Sequence, residues 1–128
     1  MFGQSAAVKQ LDGMLLFQVT EGLGLNRLSG NFGTAIIDDA VQCSDQEAVD
    51  MAQFLLSNEG LYVGSSSAVN CVGAVKVARQ LGRGKTVVTI LCDSGHRHTS
   101  KFHNAQYLAG QGLLLRDVSK DTKLAFVH

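Results

Sequence analysis

Asp93, Ser94, His96, His98 and His103 crowd into the stretch "LCDSGHRHTSKFHN", Leu91 to Asn104. A carboxylate, a hydroxyl and three imidazoles so close together could serve several chemistries. Ser94 as a nucleophile would need a histidine base and an acid to orient that base. A nucleophilic serine of an α/β hydrolase also sits on a strained G-x-S-x-G elbow. The sequence has no such elbow and designates no partner for Ser94. His96 and His98 are two residues apart, so an extended loop places both rings on one side. With His103 they could hold zinc or another transition metal. A fourth ligand does not stand out, because Cys92 is expected to point into a sheet. A second turn, "GSSS" at Gly64–Ser67, is expected to open a helix. Its N–H groups could hold an anion such as phosphate or carboxylate, or the serines could simply cap the helix. Gly22 and Gly24 in "EGLGLNR" lack Cβ atoms, which lets that loop approach a ligand closely.

These turns need elements to hold them. "TVVTILC", Thr86–Cys92, is a nearly continuous β-branched apolar run, the pattern of a central strand covered on both faces. "LYVG" reads as a short buried strand before the serine turn, and "AVQCS" as another. The clearest helix is "SDQEAVDMAQFLLSNEG". Ser44 and Glu47 form a capping box, Ala48, Met51, Ala52, Leu55 and Leu56 share one face, and Gly60 stands where a left-handed cap belongs. A second helix follows Ser65–Ser67, with Ala68, Cys71, Val72, Val75 and Ala78 on one stripe. The order strand, helix, strand, helix, strand makes right-handed crossover units of an α/β domain. In such sheets ligands sit beyond the carboxyl ends of the strands, where both turns fall. "EGLGLNRLSGNFG" reads as a long loop, "NAQYLAGQG" as a short final helix, and the tail from Leu113 as a mixed, loosely held segment.

The bulk properties narrow the field. The 128 residues fit one domain, and a formal net charge of zero gives no reason to expect nucleic acid or an anionic membrane as partner. Three scattered cysteines, Cys43, Cys71 and Cys92, suit a reducing compartment better than a disulfide framework. "MLLFQV" is too short to span a membrane and has no signal-peptide flanks.

Three separated segments carry a resemblance: "TEGLGLNRLSGNF", "DDAVQCSDQEAVDMAQFLLSNEGLYVGSSSAVNCVGAVKVARQLG" and "VVTILCDSGHRHTSKFHN". In this order and spacing they resemble the C-terminal part of cysteine synthases. These belong to the cystathionine β-synthase-like group of pyridoxal-phosphate enzymes with the tryptophan-synthase-β fold (fold type II). The resemblance runs from about Thr20 to Asn104. It implies an α/β fold, the C-terminal portion of the large domain, with a mostly parallel sheet flanked by helices. The implied organisation is a non-matching segment 1–20, a partial enzyme domain 21–115 and a tail 116–128.

The resemblance also implies roles. Ser94 matches the serine that hydrogen-bonds the pyridine nitrogen of pyridoxal 5'-phosphate. A neutral hydroxyl there leaves the nitrogen largely unprotonated, which favours loss of a β-substituent. Glu21-Gly22-Leu23-Gly24 matches a turn against the cofactor and the substrate amine, with Leu23 where the family carries isoleucine. Gly64 and Ser65 match a helix start near the cofactor face. The family's Schiff-base lysine and its phosphate loop precede the region of resemblance. None of the six lysines, Lys9, Lys76, Lys85, Lys101, Lys120 and Lys123, stands in a serine-x-lysine-asparagine context. The implied parent reaction is β-replacement, O-acetylserine and sulfide giving cysteine, with β-elimination as a side activity. Without the lysine the chain is expected to be inactive alone. The alternatives are a non-catalytic module, pairing as a homo-oligomer or with the missing N-terminal half or a full-length relative, and a histidine-based metal binder. The expected compartment is the cytoplasm, with mitochondrial association as the alternative.

Overall fold

The computed structural model describes residues 19–20 and 30–128. Among the described residues there are four α-helices, α1 (Gly30–Gly33), α2 (Asp45–Glu59), α3 (Ser65–Leu81) and α4 (Ala105–Gly110), with a 3₁₀ turn at Gly95–His98 before α4. The single turn of α1 lies within the stretch that reads as loop. Gly22 and Gly24 lie outside the described residues.

Helix α2 starts and stops as its sequence dictates. The Glu47 N–H donates to Ser44 Oγ at 3.2 Å, and the Ser44 N–H donates to the Glu47 carboxylate at 2.8 Å, which satisfies two N–H groups reciprocally. Gly60 ends the helix at φ 68°, a left-handed conformation that costs glycine little. The face of α2 bearing Ala48, Met51 and Ala52 buries against Ala68 and Val72 of α3. Phe102, Leu108, Val118, Phe126 and Val127 complete the core.

The burial on α2 is wider than its apolar stripe predicts, because Glu47, Val49 and Asp50 are buried as well. The cause is the tail, which is docked rather than loose. Gln46 exchanges two hydrogen bonds with the backbone of Leu114, at 2.9 and 2.8 Å. Arg116 closes a two-pronged ion pair on the fully buried Asp50. Arg79 of α3 donates to the carbonyls of Lys123, Leu124 and Val127. The His128 N–H and the Lys76 ammonium both reach Glu47, at 2.8 and 2.9 Å. Polar groups that would be costly to bury alone are thus buried together, each with a partner.

The expected parallel sheet is not formed among the described residues. Their only β pairing is an isolated antiparallel bridge between Val63 and Ser94. Thr86–Cys92 carries no ladder: the Ile90 carbonyl accepts from the Asn70 side chain, and the Cys92 N–H donates to Ser67 Oγ. Its apolar side chains are correspondingly open, with Val88 83% and Ile90 65% exposed. A β-branched run favours an extended chain, but a ladder requires a neighbouring strand. The described residues place none beside it. "AVQCS" likewise runs without a strand partner.

Glu47 sets a pH dependence. Burial works to raise its pKa, but the N–H groups of Ser44 and His128 and the Lys76 ammonium outweigh it and bring the value down from 4.5 to about 2. A carboxylate depressed by folding contributes stability above its unfolded pKa, and that contribution is lost as pH falls from 4.5 toward about 2. Urea unfolding followed by circular dichroism across this window should show a steep loss in the parent. Glu47→Gln should be less stable near neutral pH and show a flatter decline.

Candidate functional site

Two turns meet at the start of α3. The Gly64 N–H donates to the Asp93 carbonyl at 2.9 Å, and the Gly95 N–H donates to the Tyr62 carbonyl at 3.0 Å. These bonds fix "YVG" against "DSG". The contact leaves no room for a side chain on either glycine. A Cβ on Gly64 would lie 2.1 Å from Asp93 Oδ1 and 2.8 Å from His98 Nε2. A Cβ on Gly95 would lie 2.8 Å from the Tyr62 ring and 2.9 Å from His103 Nε2.

The stretch after Ser94 folds back as a 3₁₀ turn anchored by Phe102, which is fully buried. Asn104 then caps α4, its side chain accepting from the N–H groups of Gln106 and Tyr107. This anchoring holds the three histidines to three different partners. His98 Nε2 lies 2.8 Å from Asp93 Oδ2. His103 Nε2 lies 2.8 Å from the Val63 carbonyl. His96 Nδ1 lies 2.7 Å from Ser94 Oγ. Tyr62 packs between two of the rings, 5.0 Å from His96 and 4.5 Å from His103. Burial lowers the His103 pKa, the bond to Val63 works against that, and His98 adds to the lowering. The net effect favours the neutral imidazole.

The arrangement decides among the chemistries the sequence leaves open. The histidines do not converge, and no group of three or more metal-binding side chains is assembled among the described residues. The serine turn is not a free anion cradle. The Asp93 carboxylate lies against Gly64, and Ser65 and Ser67 are 1% and 0% exposed. A phosphate would meet a like charge and closed side chains. Nor do the serines cap α3. The N-cap is Gly64, which has no side chain to do so, while Ser67 Oγ accepts from Cys92 and Ser65 Oγ is buried without a hydrogen-bond partner. Ser94 does have a histidine neighbour, but that ring's other contact is the near-perpendicular ring of Tyr62, and among the described residues no carboxylate orients it as a triad requires.

Of the residues singled out by sequence, the structure brings Ser94, Gly64 and Ser65 together; Gly22 and Gly24 fall outside the described residues. Ser94 is exposed beyond the turn, and the Gly64 N–H holds that turn through the Asp93 carbonyl, with Ser65 next in the chain. Sequence reasoning missed Tyr62 and the pairing of Asp93 with His98. The signal for Asp93 was its position just before Ser94 and five residues ahead of His98. Tyr62 left no comparable signal.

Residues 12–93 match the pyridoxal-phosphate dependent enzyme family, and the chain belongs to that family. Within it, the chain is similar to cysteine synthases. It is 50% identical over 99 residues to the cysteine synthase of Dictyostelium discoideum, covering 77% of this chain and 26% of that protein. It is 47% identical over 98 residues to cysteine synthase 2 of Schizosaccharomyces pombe, covering 75% and 25%. Cysteine synthase 2 of Neurospora crassa is 54% identical over 86 residues, covering 66% and 19%. The chain thus spans about a quarter of the length of the relatives it matches. No helix among the described residues is long and apolar enough to cross a membrane.

The chemistry of the exposed hydroxyl suits one end of the family's cofactor. A serine O–H can donate to a pyridine nitrogen, and the turn that carries Ser94 is held rigidly from below. The crowding at the two glycines is testable. Gly64→Ala and Gly95→Ala should each cost about 1–3 kcal/mol, the usual range for overpacking. Thermal unfolding would measure the cost, and amide shifts confined to residues 62–64 and 93–98 would locate it.

Proposed function

We propose that the chain supplies the pyridine-nitrogen side of a cysteine-synthase-like site. The observation that carries this is the exposed Ser94 hydroxyl on a turn locked against the start of α3. In this reading Ser94 donates a hydrogen bond to the cofactor's ring nitrogen. Asp93 holds the turn through His98, and Gly64 and Ser65 give it a close-packed floor. Gly22 and Gly24, which lie outside the described residues, match in sequence the family's turn against the ring and the substrate amine. When bound, pyridoxal 5'-phosphate acts as the electron sink for β-replacement and β-elimination on amino acids. The parent activity is the O-acetylserine and sulfide reaction that gives cysteine, in a soluble compartment, with the cytoplasm favoured.

Covalent anchoring needs a lysine in the site, and none of the six lysines stands in the family's context. The isolated chain should therefore neither bind the cofactor covalently nor turn over. Pyridoxal 5'-phosphate followed by borohydride, with mass analysis of peptides, tests this. No stoichiometric cofactor–lysine adduct is expected. A single-site adduct accompanied by cysteine formation would refute the proposal of inactivity.

The exposed Thr86–Cys92 segment favours a second reading, a module that pairs with the rest of a synthase fold. It is extended, β-branched and without a ladder, as a sheet strand awaiting neighbours would be. The relatives carry about three-quarters of their length outside the match, and those residues are the occupant we assign to it. Co-expression with the unmatched portion of the Dictyostelium discoideum cysteine synthase should yield a soluble one-to-one complex. Val88→Lys should abolish it without unfolding the chain, because Val88 is exposed. Separate elution of the two polypeptides would exclude this pairing.

A further inference from the structure

The three histidines differ in what their partners can do with a proton. His98 faces a carboxylate and His103 a backbone carbonyl. Each partner accepts only, so in both rings the facing Nε2 must carry the hydrogen. His96 faces a hydroxyl, which donates or accepts. Its tautomer is therefore left open by the protein, and so is the direction of the Ser94 proton.

We propose that His96 is the positioning residue that directs the Ser94 hydroxyl proton toward the cofactor nitrogen. This rests on the reading of Ser94 given above. A hydroxyl has one hydrogen to give. If Nδ1 of His96 is bare, Ser94 spends that hydrogen on the ring 2.7 Å away and turns a lone pair toward the cofactor. If Nδ1 carries hydrogen, it donates to Oγ, and Ser94 donates outward. Only the second arrangement matches an unprotonated pyridine nitrogen. The chain of donors runs from His96 Nδ1 to Ser94 Oγ to the ring nitrogen.

The surroundings hold the imidazole where this requires. The His96 and Tyr62 rings pack at 84° between planes, 5.0 Å apart. The His96 N–H also approaches Ser94 Oγ, at 3.4 Å, filling another acceptor direction of the oxygen. The charged and titratable groups around the turn are Asp93, already bonded to His98, together with Arg97 and His103. Asp93 Oδ2 and His103 Nε2 are taken by His98 and the Val63 carbonyl, and Asp93 Oδ1 is buried against Gly64 without a hydrogen-bond partner, so the Ser94 proton is settled between His96 and whatever lies beyond the hydroxyl.

The test is long-range proton–nitrogen NMR on the full chain, which reads the tautomer of each histidine directly, with pyridoxal 5'-phosphate as the added probe. The cofactor should perturb the Ser94 and Gly95 amides and move His96 to the form with hydrogen on Nδ1, while His98 and His103 keep hydrogen on Nε2. In Ser94→Ala that tautomer change should vanish. His96→Leu should weaken cofactor binding about two- to tenfold, the effect of losing one neutral hydrogen bond, and His96→Gln, which retains a donor, should restore most of it. Perturbed Ser94 and Gly95 amides with His96 still bare at Nδ1 would overturn the role of His96 and leave that of Ser94 standing. Undisturbed amides would overturn both.

Discussion

Everything at the candidate site depends on how closely the backbone at Gly64 approaches the turn Asp93–Gly95. Two backbone hydrogen bonds draw the segments together, and the absence of a side chain on each of two glycines permits it. From that contact the rest follows. Asp93 is pressed against the start of α3, where negative charge is welcome, and His98 secures its other oxygen. Ser94 is left exposed on the outer side, with His96 as the partner of its hydroxyl. The N-terminus of α3 is filled by the protein's own Asp93 carboxylate rather than left open to an anion.

Local signals were legible and long-range ones were not. The capping box at Ser44 and Glu47, the left-handed Gly60 and the short α4 are written in a few neighbouring residues, and all are formed. The serine cap of α3 was misread because Ser67 turns to Cys92 Nα, a partner 25 residues away. The docked tail was illegible for the same reason. Arg116 and Asp50 are 66 residues apart, and His128 and Glu47 are 81 apart. Neither pairing has a periodicity or a spacing to announce it. At the site, Ser94, Gly64 and Ser65 could be named from their turns, whereas the separate fates of the three histidines required the path of the chain through Phe102.

The strand reading of Thr86–Cys92 shows the converse. Its composition is that of a sheet interior, yet composition specifies only a preference for extended backbone. A strand becomes part of a sheet through its neighbours, and the described residues offer side chains of α3 in their place. The family relationship accounts for the composition, and the local surroundings account for the exposure.

The tail's attachment has a consequence for the order in which the structure assembles. Helices α2 and α3 are close in sequence, so their pairing closes a short loop, while the bonds to Glu47 and Asp50 close long ones. Loop closure grows more costly with length, though slowly, and synthesis delivers the helices first. Before Arg116 and His128 dock, Glu47 holds its capping box with Ser44 and its ion pair with Lys76, while Asp50 lacks the guanidinium that pairs with it. Docking of residues 114–128 converts a solvated face of α2 into interior, so the core acquires its second side only after this segment has been made.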